Sequence, residues 1–120
     1  MKKYKGKILV VDDSQIYLDS IERALKKKKN LTSCFTDGNS AITAVTEGLK
    51  YDMALVDFQL GSGVWGDEIA KELKKLHPNI PVFSFTGSDF AFENTDGFIN
   101  KSDIDNIEKA FRKYVLAKRR

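Results

Sequence analysis

The sequence predicts an α/β fold, a (βα)5 chain wrapped around one parallel sheet with helices on both faces. Three observations carry that prediction. Short apolar, β-rich runs recur five times, and apolar residues spaced by three and four fill three of the gaps between them and follow the last. Two of the runs, ILVV at 8–11 and MALV at 53–56, are apolar at every position, as central strands covered on both faces must be. A chain of 120 residues, 42% hydrophobic and 31% charged, can bury about two thirds of its unfolded surface as one domain.

The first strand is read at 8–11. Leu18, Ile21 and Leu25 then mark a helical stripe that Ser14 can cap, and the lysines at 26–29 suit the carbonyl end of that helix. A second strand at 31–35 contains Cys34, the one cysteine. No internal disulfide is possible, and the thiol is expected to be a small buried group in a reducing compartment. Asp37 can cap the second helix, marked by Ala41, Val45 and Leu49. The third strand, 53–56, leads through the glycine-rich loop FQLGSGVWG at 58–66 to a helix marked by Ile69, Leu73 and Leu76. His77, before Pro78, reads as a helix-end residue with no partner ligands. A fourth strand at 82–85 is separated from a weaker fifth, 98–99, by residues 87–96 only. A helical crossover needs roughly ten to twelve residues, so one turn around 90–93 or an irregular loop is expected, with the fourth helix short or absent. The last helix is marked by Ile104, Ile107, Phe111 and Tyr114. Ser102 is its expected cap, with Asp103 and Asp105 placing negative charge in its first turn.

The formal charge of +3 is small, and much of the excess sits at 26–29 and 118–120 outside any aromatic-lined groove. Direct nucleic-acid binding is therefore not expected. Residues 1–7 are basic, but the apolar run behind them stops at Asp12, too short for a signal sequence or a membrane span. A cytoplasmic location without membrane insertion is expected.

Ligands of an open parallel sheet bind outside the carboxyl ends of its strands, where the strand order reverses. Asp12 and Asp13 follow the first strand, Asp57 the third, Thr86 the fourth and Lys101 the fifth. Three carboxylates in one crevice repel each other unless a cation resolves the conflict, and Mg²⁺ suits such an all-oxygen set. With the charge screened, the Asp57 carboxylate can attack phosphorus to form an acyl phosphate, while the Lys101 ammonium and Thr86 hydroxyl meet the phosphoryl oxygens. Taken singly these residues read as a strand-end turn, a strand-end threonine and a surface lysine. Their combination points to phosphoryl chemistry.

ILVVDDS at 8–14, ALVD at 54–57, FSFTG at 83–87 and FINK at 98–101 resemble the receiver domain of two-component response regulators, across nearly the whole chain. The resemblance implies a flavodoxin-like fold with strand order 2-1-3-4-5. It implies Mg²⁺ at Asp12, Asp13, Asp57 and the Gln59 backbone carbonyl, with Asp13 a direct ligand and Asp12 acting mostly through water. A histidine kinase or phosphotransfer protein would place a phosphoryl group on Asp57, with Lys101 and Thr86 in contact with it. Phe98 would be the switch aromatic, turning inward as Thr86 moves toward the phosphate. Also implied are a downstream protein partner, a monomer or phosphorylation-dependent dimer, and a signalling module rather than an enzyme. Its own chemistry would be slow self-phosphorylation and self-dephosphorylation, the latter tuned by Gln59 and Ser88. Residues 1–120 read as a single receiver domain with no output domain and no organic cofactor.

Two departures motivate a rival reading. Ser102 stands where the family usually has a proline whose cis peptide aims the lysine, and the fourth crossover is short. A receiver-like scaffold that binds partners with little or no phosphorylation is the alternative. A flavodoxin-type FMN site conflicts with the two carboxylates opening the first loop. A haloacid-dehalogenase-like phosphatase needs an acid two residues after its nucleophile, where this chain has Gln59. Trp65, Phe90 and Phe92 read as plugs for the core beside the short crossover, with partner anchoring as the other reading.

Overall fold

The computed structural model describes residues 6–60 and 65–119; the basic start at 1–5, loop residues 61–64 and Arg120 lie outside the described residues. In chain order it places β1 (Gly6–Val11), α1 (Gln15–Lys27), β2 (Asn30–Phe35), α2 (Gly38–Thr46), β3 (Met53–Val56), α3 (Gly66–Leu76), β4 (Val82–Thr86), β5 (Gly97–Asn100) and α4 (Asp105–Tyr114). A single 3₁₀ turn, Leu116–Arg119, follows. All pairings within the sheet are parallel, in the expected order β2-β1-β3-β4-β5.

Alternation along the strands divides the core into two layers. Ile8, Val10, Met53, Leu55, Phe83 and Phe85 face α1 and α4, meeting Leu18, Ile21, Leu25, Ile107 and Phe111. Leu9, Val11, Ala54, Val56 and Val82 face the opposite side, against Ala41 and Val45 of α2 and Ile69, Ala70 and Leu73 of α3. Among the described residues no helix is long and apolar enough to cross a membrane.

Local chemistry sets the helix ends. Ser14 and Asp37 cap α1 and α2 as expected, accepting from Tyr17 N–H at 3.3 Å and Ser40 N–H at 2.8 Å. Leu49 extends the stripe of α2 in sequence but lies beyond its end. Gly48, at φ 110°, lets the Gly48 and Leu49 N–H groups turn back to the Val45 and Ala44 carbonyls at 3.0 and 2.9 Å. Ser102 does not cap α4: its N–H and hydroxyl both donate to Asn100 Oδ1, at 3.0 and 2.8 Å. The helix starts later, after Ile104, and Asp103 stays outside its first turn. Cys34 is half-buried rather than buried, and burial raises its thiol pKa.

The fourth crossover is a loop, the second of the two expected outcomes. Residues 87–96 contain no helix, so four α-helices lie among the described residues. The loop is tied down by polar contacts. Ser84 Oγ donates to the Phe90 carbonyl. The Asp96 carboxylate accepts from Val82 N–H at 2.8 Å and Lys74 Nζ at 2.9 Å. The aromatics divide: Phe92 is 5% exposed and plugs the layer beside α3, whereas Phe90 and Trp65 stay about half exposed. Phe92→Ala is therefore expected to cost about 3 kcal/mol and Phe90→Ala under about 1 kcal/mol, as read by denaturant unfolding. Equal losses would remove Phe92 as the plug.

Candidate functional site

The strand order reverses between β1 and β3, and the acidic residues follow from that. Val11 pairs with Val56, and the Asp57 N–H donates to the Val11 carbonyl at 2.9 Å, so the next residues of both strands emerge side by side. Asp12, Asp13 and Asp57 each offer a carboxylate oxygen, and these atoms lie within 4.8 Å of one another. Asp12 is fully buried, Asp57 half-buried and Asp13 exposed. Three hard oxygen donors at that spacing, one open to solvent, fit an oxygen-seeking divalent cation such as Mg²⁺.

Lys101 enters from the end of β5, its N–H bonded to the Thr86 carbonyl at 2.8 Å. Its ammonium pairs with Asp12 Oδ2 and, at 3.1 Å, with Asp57 Oδ2. The other oxygens are also held: Asp12 Oδ1 accepts from Ser14 N–H at 2.9 Å, and Asp57 Oδ1 from Phe58 N–H at 2.8 Å. No peptide bond among the described residues is cis, so Lys101 reaches Asp57 across a trans bond to Ser102.

Burial pulls the Lys101 ammonium downward, but the hydrogen bond and charge of Asp12, then those of Asp57, leave its pKa above the ordinary value. For Asp57, burial raises the carboxyl above its usual range despite the opposing pull of Lys101 and the Phe58 N–H. Because the unfolded chain restores the lower ordinary value, this contribution to stability is present below that value and is lost as pH rises through the folded one. An ionised Asp57 therefore strains the metal-free fold. Asp57→Asn is expected to melt above the wild type at neutral pH in chelator, with the gap closing near pH ~3. A lower melting temperature at neutral pH would contradict this sign.

The remaining sequence candidates are placed unequally. A concavity lined by Asp13, Asp57, Phe58, Gln59, Thr86, Gly87, Ser88 and Phe90 brings Thr86, Gln59 and Ser88 beside the acidic residues. The Thr86 hydroxyl is turned to its own loop, donating to the Ser88 carbonyl at 2.8 Å and accepting from Ser88 N–H at 3.2 Å. Gln59 is exposed, its backbone paired with Trp65 in an antiparallel bridge. Phe98 lies outside the lining and is 47% exposed, opposite the buried Ser84 in the β4–β5 pairing. A larger hollow at the other edge of the sheet, between Lys7, Leu49, Tyr51 and His77, gathers no comparable acidic cluster among the described residues.

Sequence reasoning missed three residues. Phe58 packs against Trp65 and Phe92 at a tilt and against Phe90 edge-on, with ring centroids 5.1, 5.4 and 5.8 Å away. Asn100 ties the fifth strand to the preceding loop, its Nδ2 donating to Asp89 at 3.1 Å and to the Gly87 carbonyl at 3.4 Å. Tyr17 touches Lys101 from α1. Their only sequence signal was position, since Tyr17 adjoins the buried Leu18 and Asn100 immediately precedes Lys101.

A family model described as the response regulator receiver domain matches residues 8–119. The transcriptional regulatory protein QseB of Haemophilus influenzae is 26% identical over 113 residues, covering 94% of this chain and 50% of its own length. ComA of Bacillus subtilis is 28% identical over 83 residues, 68% of this chain and 39% of its own. The chain thus spans about half or less of the length of these curated relatives. Among solved structures, the N-terminal domain of a response regulator/sensory box/GGDEF protein from Carboxydothermus hydrogenoformans superposes with a TM-score of 0.80 at 27% identity, covering 92% of this chain and 98% of that one. TrrA of Thermotoga maritima, solved with Mg²⁺ and BeF, superposes with the same score at 23% identity, covering 91% and 98%.

Proposed function

The chain belongs to the response regulator receiver domain family, and on that premise we propose that it takes a phosphoryl group onto Asp57 from a histidine kinase or phosphotransfer protein and passes the change to a downstream protein. Receiver domains are signalling modules rather than enzymes and typically partner with histidine kinases. The observation that carries the reading is the gathering of Asp12, Asp13 and Asp57 beside the Lys101 ammonium.

Asp12, Asp13, Asp57 and the Gln59 backbone carbonyl would hold Mg²⁺, which when bound screens the carboxylates from each other and from the phosphoryl oxygens. An Asp57 oxygen supplies the electron pair of the new O–P bond as the donor's P–N or P–O bond breaks, and the leaving group departs with the electrons of that bond. Lys101, which bridges Asp12 and Asp57, would meet an equatorial oxygen of the incoming group. Thr86 supplies its hydroxyl once it releases the Ser88 carbonyl, and Phe98 turns inward from its exposed position as Thr86 moves. Gln59 and Ser88 line the concavity and set water access to the acyl phosphate. The phosphorylated surface acts through a protein contact, as a monomer or a phosphorylation-dependent dimer. The test is incorporation of phosphate from a small phosphodonor with and without Mg²⁺; no label with any donor would sink the reading and favour a constitutive scaffold.

A further inference from the structure

Lys101 sits on a turn without proline, and α1 supports that turn at two points. The Tyr17 hydroxyl donates to the Lys101 carbonyl at 2.9 Å. The Tyr17 ring centroid lies 5.0 Å from Lys101 Nζ, within the range at which a cation is attracted to an aromatic face. The ring is itself braced by the fully buried Phe85, with centroids 5.9 Å apart. On the far side of the turn, Asn100 Oδ1 accepts from the Ser102 N–H and hydroxyl.

We propose that Tyr17 is a positioning residue that aims the Lys101 ammonium at Asp57, its hydroxyl fixing the lysine backbone and its ring face steadying the charged tip. A four-carbon side chain loses much rotamer freedom when its tip is held, and two contacts from one rigid ring reduce what remains to be ordered when the phosphoryl group arrives. Burial, then the charges of Asp12 and Asp57, push the Tyr17 phenol up to about 12, so it remains a donor at any working pH. The inference rests on the phosphoacceptor reading for its consequence, but not for its geometry.

The test is a double-mutant cycle with Tyr17→Phe, Tyr17→Leu, Lys101→Ala and the Tyr17→Leu/Lys101→Ala pair, read as the rate of label incorporation from a small acyl phosphate in saturating Mg²⁺. Tyr17→Phe, which keeps the ring, is expected to slow labelling about 3-fold and Tyr17→Leu about 10-fold. In the Lys101→Ala background Tyr17→Leu should add nothing, because its effect passes through the lysine. The same loss in both backgrounds would overturn the proposal, since a purely structural residue acts additively. A second readout needs no phosphoryl chemistry. The Cε–Hε NMR correlation of Lys101, identified by its disappearance in Lys101→Ala, should be ring-shifted in the wild type and Tyr17→Phe and move to the free-lysine position in Tyr17→Leu. An unmoved signal overturns the proposal. A wild type that takes no label overturns the phosphoacceptor reading instead, and the NMR signal then decides on Tyr17 alone.

Discussion

Asp57→Asn is expected to lower Mg²⁺-dependent phosphoryl incorporation by on the order of a thousandfold or more, because the attacking oxygen is lost while the rest of the site stays in place. An asparagine Oδ1 can still accept the Phe58 N–H that now meets Asp57 at 2.8 Å, and Lys101 keeps its pairing with Asp12. Lost chemistry with a preserved fold is the signature of a missing nucleophile rather than of collapse. Intact-mass measurement after exposure to a small acyl phosphate, with thermal melts in parallel, separates the two. Chelator added to the wild type should suppress labelling as well, since the three acidic groups then face the donor unscreened. Equal labelling of wild type and Asp57→Asn would place the phosphoryl group elsewhere.

Gly66→Ala is the second large effect, and it arises from packing. A Cβ at position 66 would lie 2.1 Å from the Asp57 carbonyl oxygen and 2.8 Å from Phe58 Cα, both backbone atoms that no rotamer change can move. The Gly66 N–H also donates to the Phe58 carbonyl at 2.7 Å, so α3 starts with its backbone against the loop that carries the acidic residue. Relieving the clash must displace either the helix start or Asp57. The expected cost is about 3 kcal/mol of stability. A displacement of about 1 Å at the nucleophile would also slow labelling about a hundredfold. Gly87→Ala is the comparison for stability, because a Cβ there meets nothing within 4 Å. Chemical unfolding of both variants checks the difference; a Gly66→Ala protein as stable as Gly87→Ala would mean that the loop yields.

What could be read from the chain beforehand follows from how local its cause is. Continuous apolar runs at 8–11 and 53–56 were legible because burial on both faces excludes polar residues from Ile8 to Val11 and Met53 to Val56 alike. The acidic residues were legible because Asp12 and Asp57 follow such runs directly and Asp13 follows Asp12, so placing the strand placed the carboxylates. Longer-range competition was not. Ser102 has the chemistry of a cap, but Asn100, two residues earlier, takes both of its donors. Phe90 and Phe92 are the same residue type two positions apart, and only the path of the loop makes one a plug and the other a surface group. Tyr17 and Lys101 are 84 positions apart, and their contact depends on α1 starting at the edge of the sheet where β5 ends.

The helix-free connection between β4 and β5 bears on the tempo of switching. Gly87, Ser88 and Phe90 line the concavity, and the same segment joins β4 to β5 and presents Phe90 to solvent. Elsewhere on the sheet, a change at a strand end would have to shift a packed helix, a motion of microseconds to milliseconds. Here it has only to release a few loop hydrogen bonds, such as that of Ser84 to the Phe90 carbonyl, and loop motions take nanoseconds to microseconds. On the phosphoacceptor reading proposed above, the exterior around Phe90 would follow the state of Asp57 on that shorter timescale, leaving the duration of a signal to the formation and loss of the O–P bond.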